Sequence, residues 1–309
     1  MQLLQKSILK VVAYFDMFSY PVTLGEIKLF LDQPFKETQL SNELEELLDA
    51  GLVHKMNNFY ALKHDYSLVE RRITGNADAV KKLKLAAKIA RFLSWFPYVK
   101  GVAVSGSLSK NFAYKGSDID FFIITAPNRL WIARMFFILF LKPLSFLGLK
   151  NWFCLNYLID TTAVEIPEKN IYTAIEIATL MPRQGRAAFD NFFRANKWIH
   201  NYLPNYLTNN EDMPERKGPF LKKLTEWLLN NSTGDRIDDF FMRFYKERWR
   251  KMLEEKRFMK NGFQFGSYIA GKHVCKPVPQ NFQGKLLKKF DEKLAALDDI
   301  YCTPHEVAV

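Results

Sequence analysis

The sequence predicts a mixed α+β protein in three parts: a small helical unit with a β-hairpin, an α/β core and a helical C-terminal half. Three observations support this prediction. Helical periodicity and capping signals fill residues 4–51, short apolar strands alternate with helices over residues 99–159, and helical periodicity dominates from about residue 171 onward. We therefore expect domain boundaries that divide the chain into residues 1–65, 66–168 and 169–309.

The first part has the element order of a winged helix. After a first apolar helix, Thr23 and Glu26 have the spacing of a capping box that opens a second helix. Thr38 is placed to cap a third helix, and Gly51 is a typical residue at which to end it. Two short strand-like segments follow around the pair Asn57-Asn58, which suits a hairpin turn. Three helices followed by a β-hairpin predict an N-terminal winged helix.

The charge of the chain is unevenly distributed. The first 70 residues contain 6 Lys and Arg against 10 Asp and Glu, whereas the remaining residues carry a net charge of +15. The predicted third helix, which would enter the major groove of DNA, contains four acidic residues and no basic one: Glu43, Glu45, Glu46 and Asp49. Acidic side chains repel phosphates, so this pattern favours docking to protein over binding to DNA. A DNA-binding regulator is the disfavoured alternative.

Cysteine usage and the N-terminal segment indicate a cytoplasmic protein. Cys154, Cys275 and Cys302 form neither an even disulfide framework nor a paired zinc pattern. Asp16 interrupts the N-terminal apolar stretch, and no small-residue cleavage site follows it. Residues 130–149 are apolar but contain Arg134, Lys142 and Pro143. Because a membrane span needs about 20 apolar residues, we expect a buried core helix here and no membrane span.

The segment that begins at Gly106, GSLSKNFAYKGSDIDFFI, combines features of a metal–phosphate site. Asp118 and Asp120 are two residues apart on a predicted strand, so both carboxylates lie on one face. Paired carboxylates are suitable ligands for Mg²⁺, which also keeps room for phosphate oxygens. Two acids after a small-residue turn therefore predict that Asp118 and Asp120 bind Mg²⁺ (or Mn²⁺).

The turn itself is suited to phosphate. Gly106 allows the backbone to come close to a triphosphate, and Ser107 supplies a hydroxyl for a phosphate oxygen. Amides at the start of the following short helix favour an anion, and Lys110 adds positive charge. We therefore predict that Gly106, Ser107 and Lys110 bind a nucleotide.

Gly-Ser, a ten-residue spacer, and Asp-apolar-Asp on a second apolar strand resemble the signature of the DNA polymerase β-like nucleotidyltransferases. The resemblance implies a fold with an α/β core and transfer of a nucleoside monophosphate from a nucleoside triphosphate to an acceptor hydroxyl. Beyond the motif, the chain resembles a group of bacterial predicted nucleotidyltransferases with an N-terminal winged helix. The segments that carry this wider likeness are CLNYLI, TAIEIATLMPRQG and ANKWIHNYLPN.

Active members of that superfamily have a third carboxylate on a later strand. In the strand-like segment NWFCLNYLIDTTAVEI, alternation places Cys154, Asn156 and Asp160 on one face. We take Asp160 as the first choice for a third catalytic acid and Glu165 as the second. A third alternative is that Asn156 occupies the position, which leaves the metal site incomplete.

These alternatives define two functions. The first is a Mg²⁺-dependent nucleotidyltransferase whose acceptor is a small molecule, a protein or an RNA; the basic C-terminal half suits a polyanionic acceptor. The second is a weakly active or inactive nucleotide sensor or scaffold that uses the winged helix for interaction.

Overall fold

A computed structural model of the chain describes residues 2–146, 153–207, 218–254, 259–260, 263–264, 269–277 and 281–302. The helices are α1 (Leu3–Asp16), α2 (Leu24–Phe30), α3 (Glu37–Asp49), α4 (Tyr66–Leu93), α5 (Leu130–Phe146), α6 (Ile171–Ala178), α7 (Arg186–Ala195), α8 (Phe220–Leu228), α9 (Ser232–Glu254) and α10 (Asn281–Cys302). The strands are β1 (Val22–Thr23), β2 (His54–Met56), β3 (Phe59–Ala61), β4 (Val99–Ser105), β5 (Ile119–Thr125), β6 (Phe153–Asp160), β7 (Met181–Gln184), β8 (Met259–Lys260), β9 (Phe263–Gln264), β10 (Ile269–Ala270) and β11 (Val274–Lys276).

The N-terminal unit packs α1, α2 and α3 with a small antiparallel sheet of order β1-β3-β2. The predicted capping box at the start of α2 is confirmed. The backbone N–H of Glu26 donates to the Thr23 hydroxyl over 3.2 Å, and the N–H of Thr23 donates to the Glu26 carboxylate over 2.8 Å. The turn between β2 and β3 contains Asn57 with φ +55°, a left-handed conformation that Asn tolerates.

The start of α3 differs from the sequence prediction. Lys36 has the extended backbone of an N-cap, and its carbonyl accepts the first helical bond from the N–H of Leu40 over 2.9 Å. Thr38 therefore lies inside the first turn and is not the cap. The helix begins earlier than the side-chain signal suggested because the chain is already extended at Lys36, two residues after Pro34.

The core is a six-stranded sheet of order β10-β11-β6-β5-β4-β7. The central strands β5 and β6 are parallel and are joined by α5, whereas the other neighbouring strands are antiparallel. Apolar side chains from α4, α5 and α9 pack on one face of the sheet. Side chains from α1, α6, α7 and α10 pack on the other face, so the N-terminal unit and the last helix meet over the centre of the sheet.

The prediction that the chain is helical from residue 171 onward is wrong in part. Strands β7, β10 and β11 join the core sheet, so the sheet draws on both sides of the boundary expected near residue 168. These strands have two to four residues, which is too short for a periodicity to register. Strand β7 contains Pro182 and lies at the edge of the sheet, the position where proline is tolerated.

Helix α5 corresponds to the apolar segment predicted as a core helix. Trp131 and Phe137 are fully buried against the sheet, whereas Leu139 and Phe140 are exposed. Residues 147–149 of the predicted helix lie outside the described residues. Among the helices that the structure describes, none combines the length and the apolar character needed to cross a bilayer.

Candidate active site

The turn that follows β4 lies directly against the carboxylate of Asp120, the second acid of the motif. Ser105 and Asp120 are paired in the antiparallel ladder, so the chain turns at Gly106 beside the Asp120 carboxylate. Gly106 has φ +69°, and any side chain at this position would overlap that carboxylate. Glycine is therefore required both for the backbone conformation and for the close approach of the turn to the acid.

Asp118 and Asp120 lie together at the start of β5, with Asp118 exposed and Asp120 partly buried. Burial, and then the negative charges of Asp118 and Glu176, raise the pKa of Asp120 to about 6. A hydrogen bond from the Asn156 side chain opposes this shift. The site thus concentrates negative charge at one point, which is the electrostatic condition for binding a cation.

The loop before Asp118 is held by α4. The ammonium group of Lys82 donates to the hydroxyl of Ser117 over 2.7 Å, to the carbonyl of Tyr114 over 3.2 Å and to the carbonyl of Ser117. Further back, the ring of Phe112 packs on Gly75 so closely that a side chain at residue 75 would overlap it. These contacts fix the spacer of the motif and hence the position of Asp118.

The predicted nucleotide-binding residues Gly106, Ser107 and Lys110 lie on the same side of the turn and face one cavity. The short helix after Ser107 is a single 3₁₀ turn, Leu108–Lys110, so it supplies less of the dipole expected from a longer helix. Lys110 instead supplies the positive charge: its ammonium group lies 2.7 Å from Glu176 Oε1 and 3.2 Å from the Gly106 carbonyl.

An irregularity in β6 decides where the next polar side chains point. Phe121 pairs with Leu155, whereas the next residue, Phe122, pairs with Tyr157. Asn156 is therefore an extra residue in a β-bulge between two regularly paired neighbours. Its side chain lines the same cavity as Asp120 and hydrogen-bonds the Asp120 carboxylate.

The bulge overturns the prediction that Asp160 is the third catalytic acid. Asp120 pairs with Cys154, but Asp160 pairs with Thr125, five residues further along β5 and about 17 Å away at ~3.3 Å per residue. One extra residue also reverses the alternation, so that every side chain after the bulge changes face. Asp160 thus lies at the far end of the sheet from the site.

Asp160 has a structural role instead. It is fully buried and accepts hydrogen bonds from the backbone N–H groups of Asn128 and Thr162, each over 2.9 Å. His273 Nδ1 lies 2.8 Å from the Oδ2 atom of Asp160. Burial alone would raise the pKa of Asp160, but the hydrogen bonds from Thr162, His273 and Asn128 together hold it below its ordinary value. The carboxylate ties the ends of β5, β6 and β11 together.

The second choice for the third acid, Glu165, is also wrong. Glu165 is exposed and forms an ion pair with Lys169 over 2.8 Å, and it does not line the cavity. A further negative charge that acts on Asp120 comes instead from Glu176, on α6. Sequence reasoning missed Glu176 because the search was confined to strands; the available signal was one acid within the apolar helix IYTAIEIA. Within the described residues, no three His, Cys, Asp or Glu side chains are grouped to hold a metal ion.

A cavity of about 500 Å³ extends from these residues. Polar groups line it where the turn at Gly106 meets Asp120 and Asn156, and the charged side chains of Arg71, Glu168, Glu176 and Lys276 also line it. The remaining wall is largely aromatic and is formed by side chains of α1, the core sheet, α6 and α10. Its volume and apolar lining are those of a site for a small molecule.

Comparison with known proteins agrees with this geometry. A family model described as "Nucleotidyltransferase domain" matches residues 86–170, which include the Gly106 turn, both motif acids and β6. The match covers less than a third of the chain, and it supports both the resemblance to the polymerase β-like nucleotidyltransferases and a transferase activity. No curated protein and no solved structure matches the chain.

Proposed function

We propose that the protein is a Mg²⁺-dependent nucleotidyltransferase that moves a nucleoside monophosphate from a nucleoside triphosphate to a hydroxyl acceptor. The observation that carries this proposal is the contact of the Gly106 turn with the Asp120 carboxylate. That contact supports the proposal because it brings the turn that would bind phosphate next to the carboxylate pair, as transfer of a phosphorus-containing group requires.

The arrangement of charges suggests how the reaction proceeds. The acceptor oxygen forms a bond to the α-phosphorus, the bond from that phosphorus to the bridging oxygen breaks, and pyrophosphate leaves. Lys110 is paired with Glu176 in the structure. When Lys110 turns to the triphosphate, Glu176 loses its ion-pair partner. Glu176 then accepts the proton of the attacking hydroxyl and later releases that proton to solvent.

Asp118 and Asp120 fit a divalent cation, because they are oxygen donors whose mutual repulsion contributes to the raised pKa of Asp120. Mg²⁺ (or Mn²⁺) held there would supply positive charge against the phosphate oxygens. Ser107 and the amides of its turn would hold the phosphates from the opposite side.

A second candidate function, a nucleotide sensor or scaffold, is favoured by one observation. Asn156, and not a strand carboxylate, contacts Asp120 where the resemblance implies a third acid. If Glu176 does not replace that acid, the site binds nucleotide with little turnover. Asn156→Asp would then add the missing carboxylate and raise turnover, whereas in the enzyme that we propose it would add repulsion and lower it.

We also propose that residues 1–65 are a winged-helix domain that docks to protein in a cytoplasmic protein. The nucleotidyltransferase core follows, and then a mainly helical C-terminal part that adds strands β7, β10 and β11 to the core sheet. The element order of the N-terminal unit supports the winged-helix assignment. On α3, Glu45, Glu46 and Asp49 are exposed and would repel DNA. Binding of duplex DNA at low salt, lost steeply as salt rises, would contradict the docking role.

The test is pyrophosphate release from each of the four nucleoside triphosphates with Mg²⁺, supplied with RNA and a small-metabolite extract as acceptors. We expect Asp118→Asn, Asp120→Asn and Glu176→Gln each to lower the rate more than about 100-fold, the scale of removing one transition-state contact. The matched control is Asp49→Asn, an exposed acid of α3, which should retain the full rate.

Each outcome separates the two candidates. Turnover that depends on Asp118, Asp120 and Glu176 supports the enzyme. Mg²⁺-dependent binding of a triphosphate, without pyrophosphate release, supports the sensor. A protein that does neither contradicts both.

A further inference from the structure

The aromatic part of the cavity is built from parts of the chain that are far apart in sequence. Tyr14 and Phe18 come from the end of α1 and the turn after it, and Tyr157 comes from the core sheet. Tyr172 of α6 and Phe282 of α10 complete it, with their ring centroids 6.2 Å apart. Such a wall offers ring faces to a ligand and little hydrogen bonding.

Two buried polar atoms in this wall have no hydrogen-bond partner among the described residues. The Tyr14 hydroxyl is buried in a residue that is only 2% exposed, and the Oε2 atom of Glu168 is likewise buried. Leaving a buried polar group unpaired costs about 1–3 kcal/mol, so native proteins nearly always satisfy such groups. Both atoms belong to residues that line the cavity. Neither atom is exposed to the empty cavity, so a ligand would supply the missing partner once these side chains turn toward it.

Tyr14 also lies next to the reacting groups. The charge of Glu176 is close enough to add to the effect of burial, and both raise the pKa of the Tyr14 phenol. The hydroxyl therefore remains protonated and able to donate at neutral pH.

The lining offers no surplus of cations for a polyanionic acceptor once Lys110 is assigned to the triphosphate. Its cations are already engaged: Lys110 pairs with Glu176, and Lys276 lies 4.0 Å from Glu168 and 5.3 Å from the ring of Tyr157. Arg71 donates to the carbonyls of residues 18 and 19. The three acidic side chains of the lining, Asp120, Glu168 and Glu176, equal these cations in number. Nucleic acid binding requires an excess of cations over acids, which this cavity lacks.

We propose that the aromatic cavity is a binding site for a small, mostly apolar, ring-containing hydroxyl compound, with Tyr14 as a hydrogen-bond donor to it. This inference rests on the proposed function, in which the compound is the acceptor of the nucleotidyl group. It replaces the polyanionic acceptor that the net charge of the chain had suggested, because the charge surplus lies outside the cavity.

The experiment measures binding of 2-naphthol, a flat fluorescent hydroxyl compound, to the full chain without any requirement for turnover. A fragment of this size should bind with a Kd of about 1 mM or tighter. Tyr14→Phe removes only the donor and should weaken binding about fivefold, the value of one hydrogen bond. Glu168→Gln tests the second unpaired atom. The matched control is Tyr60→Phe, a buried tyrosine of the same unit that lies outside the cavity.

Three results would overturn the proposal. They are no saturable binding of 2-naphthol, binding that Tyr14→Phe and Glu168→Gln leave unchanged, and displacement of 2-naphthol by a non-hydrolysable nucleoside triphosphate, which would make the cavity a nucleobase site. Retained 2-naphthol binding beside that nucleotide, with no competition from a short oligoribonucleotide, is the expected result. Because binding is read directly, an absence of pyrophosphate release would contradict the proposed function and leave this inference standing.

Discussion

Asp120 shows at the scale of one residue how the fold concentrates charge. The Gly106 backbone covers one side of its carboxylate, and Asn156 donates to it. Asp118 and Glu176 add like charges, so the ionised form is disfavoured and the pKa rises to about 6. A bound cation would reverse this balance, because it stabilises the ionised carboxylates.

This raised pKa predicts a pH-dependent gain in stability for Asp120→Asn in metal-free buffer. In the folded protein the group holds its proton up to about pH 6, whereas the ordinary pKa of this carboxyl in an unfolded chain is 3.8. The ionised carboxylate therefore costs stability above pH 6, and the cost vanishes below about pH 4. We expect Asp120→Asn to raise the free energy of unfolding by about 1–3 kcal/mol at pH 7.5 and not at pH 4, measured by urea denaturation.

Two comparisons accompany this measurement. Asp49→Asn should show no such dependence, because that acid is exposed. Saturating Mg²⁺ should abolish the stability gain of Asp120→Asn, since only the folded protein with Asp120 in place would then bind the cation and be stabilised by it. An equal gain at both pH values would mean that the charge of Asp120 does not oppose folding.

The sequence allowed some of these residues to be predicted and not others. Gly106, Asp118 and Asp120 belong to one contiguous motif, so their spacing along two strands was enough to bring them together. Glu176 reaches the same point from a helix some 50 residues further on, and only the packing of α6 against the sheet places it there. A local pattern can mark Glu176 as an unusual acid in an apolar helix, but it does not say which strand that helix faces.

At the scale of elements, the bulge in β6 has the largest effect. The strand itself was predicted, but the regular alternation expected along it was wrong. One extra residue at Asn156 moves every later side chain to the other face of the sheet. A bulge has no reliable signal in a single sequence. The strand was therefore correctly located, and its far acid, Asp160, was assigned to the wrong end and the wrong face.

The N-terminus of helix α5 is capped by a side chain of another helix. Asp238 of α9 is fully buried and accepts hydrogen bonds from the backbone N–H groups of Trp131 and Ile132, over 2.9 and 3.0 Å. These amides are in the first turn, where no intrahelical acceptor exists. Burial raises the pKa of Asp238 to about 6 even though the two amides and Lys272 favour its ionised form.

The cap predicts different effects for two substitutions of Asp238. Asp238→Ala removes both acceptor contacts and should lower the free energy of unfolding by about 1–2 kcal/mol at pH 7.5. Asp238→Asn keeps an acceptor oxygen without a buried charge and should cost much less at the same pH. Thermal and urea unfolding would measure both, with Asp239→Ala as the partly exposed control. Equal losses for Asn and Ala would show that the charge, and not the acceptor, holds the helix.

At the scale of the whole molecule, the first and last described helices meet. The rings of Tyr14 on α1 and Phe290 on α10 lie with their centroids 5.6 Å apart in an edge-on arrangement. Lys293 forms an ion pair with Asp16 beside them. The sequence predicted both helices, but no local pattern indicated that residues nearly 280 positions apart would pack against each other.

This contact predicts that α10 stabilises the N-terminal unit. Phe290 is 7% exposed, so Phe290→Ala should lower the free energy of unfolding by about 3 kcal/mol, measured by urea denaturation. Phe240→Ala, on the exposed side of α9, should change it by less than about 1 kcal/mol. If α10 were merely appended, the two substitutions would have similar small effects.

The position of α10 also has a consequence for the order in which the protein is made. The Gly106 turn and both motif acids leave the ribosome early, while Phe282 and Phe290 are among the last described residues to be synthesised. A nascent chain therefore carries both motif acids before Phe282 can complete the lining of the cavity. Translation itself delays completion of the cavity, so the growing protein has no finished pocket until α10 has emerged and docked.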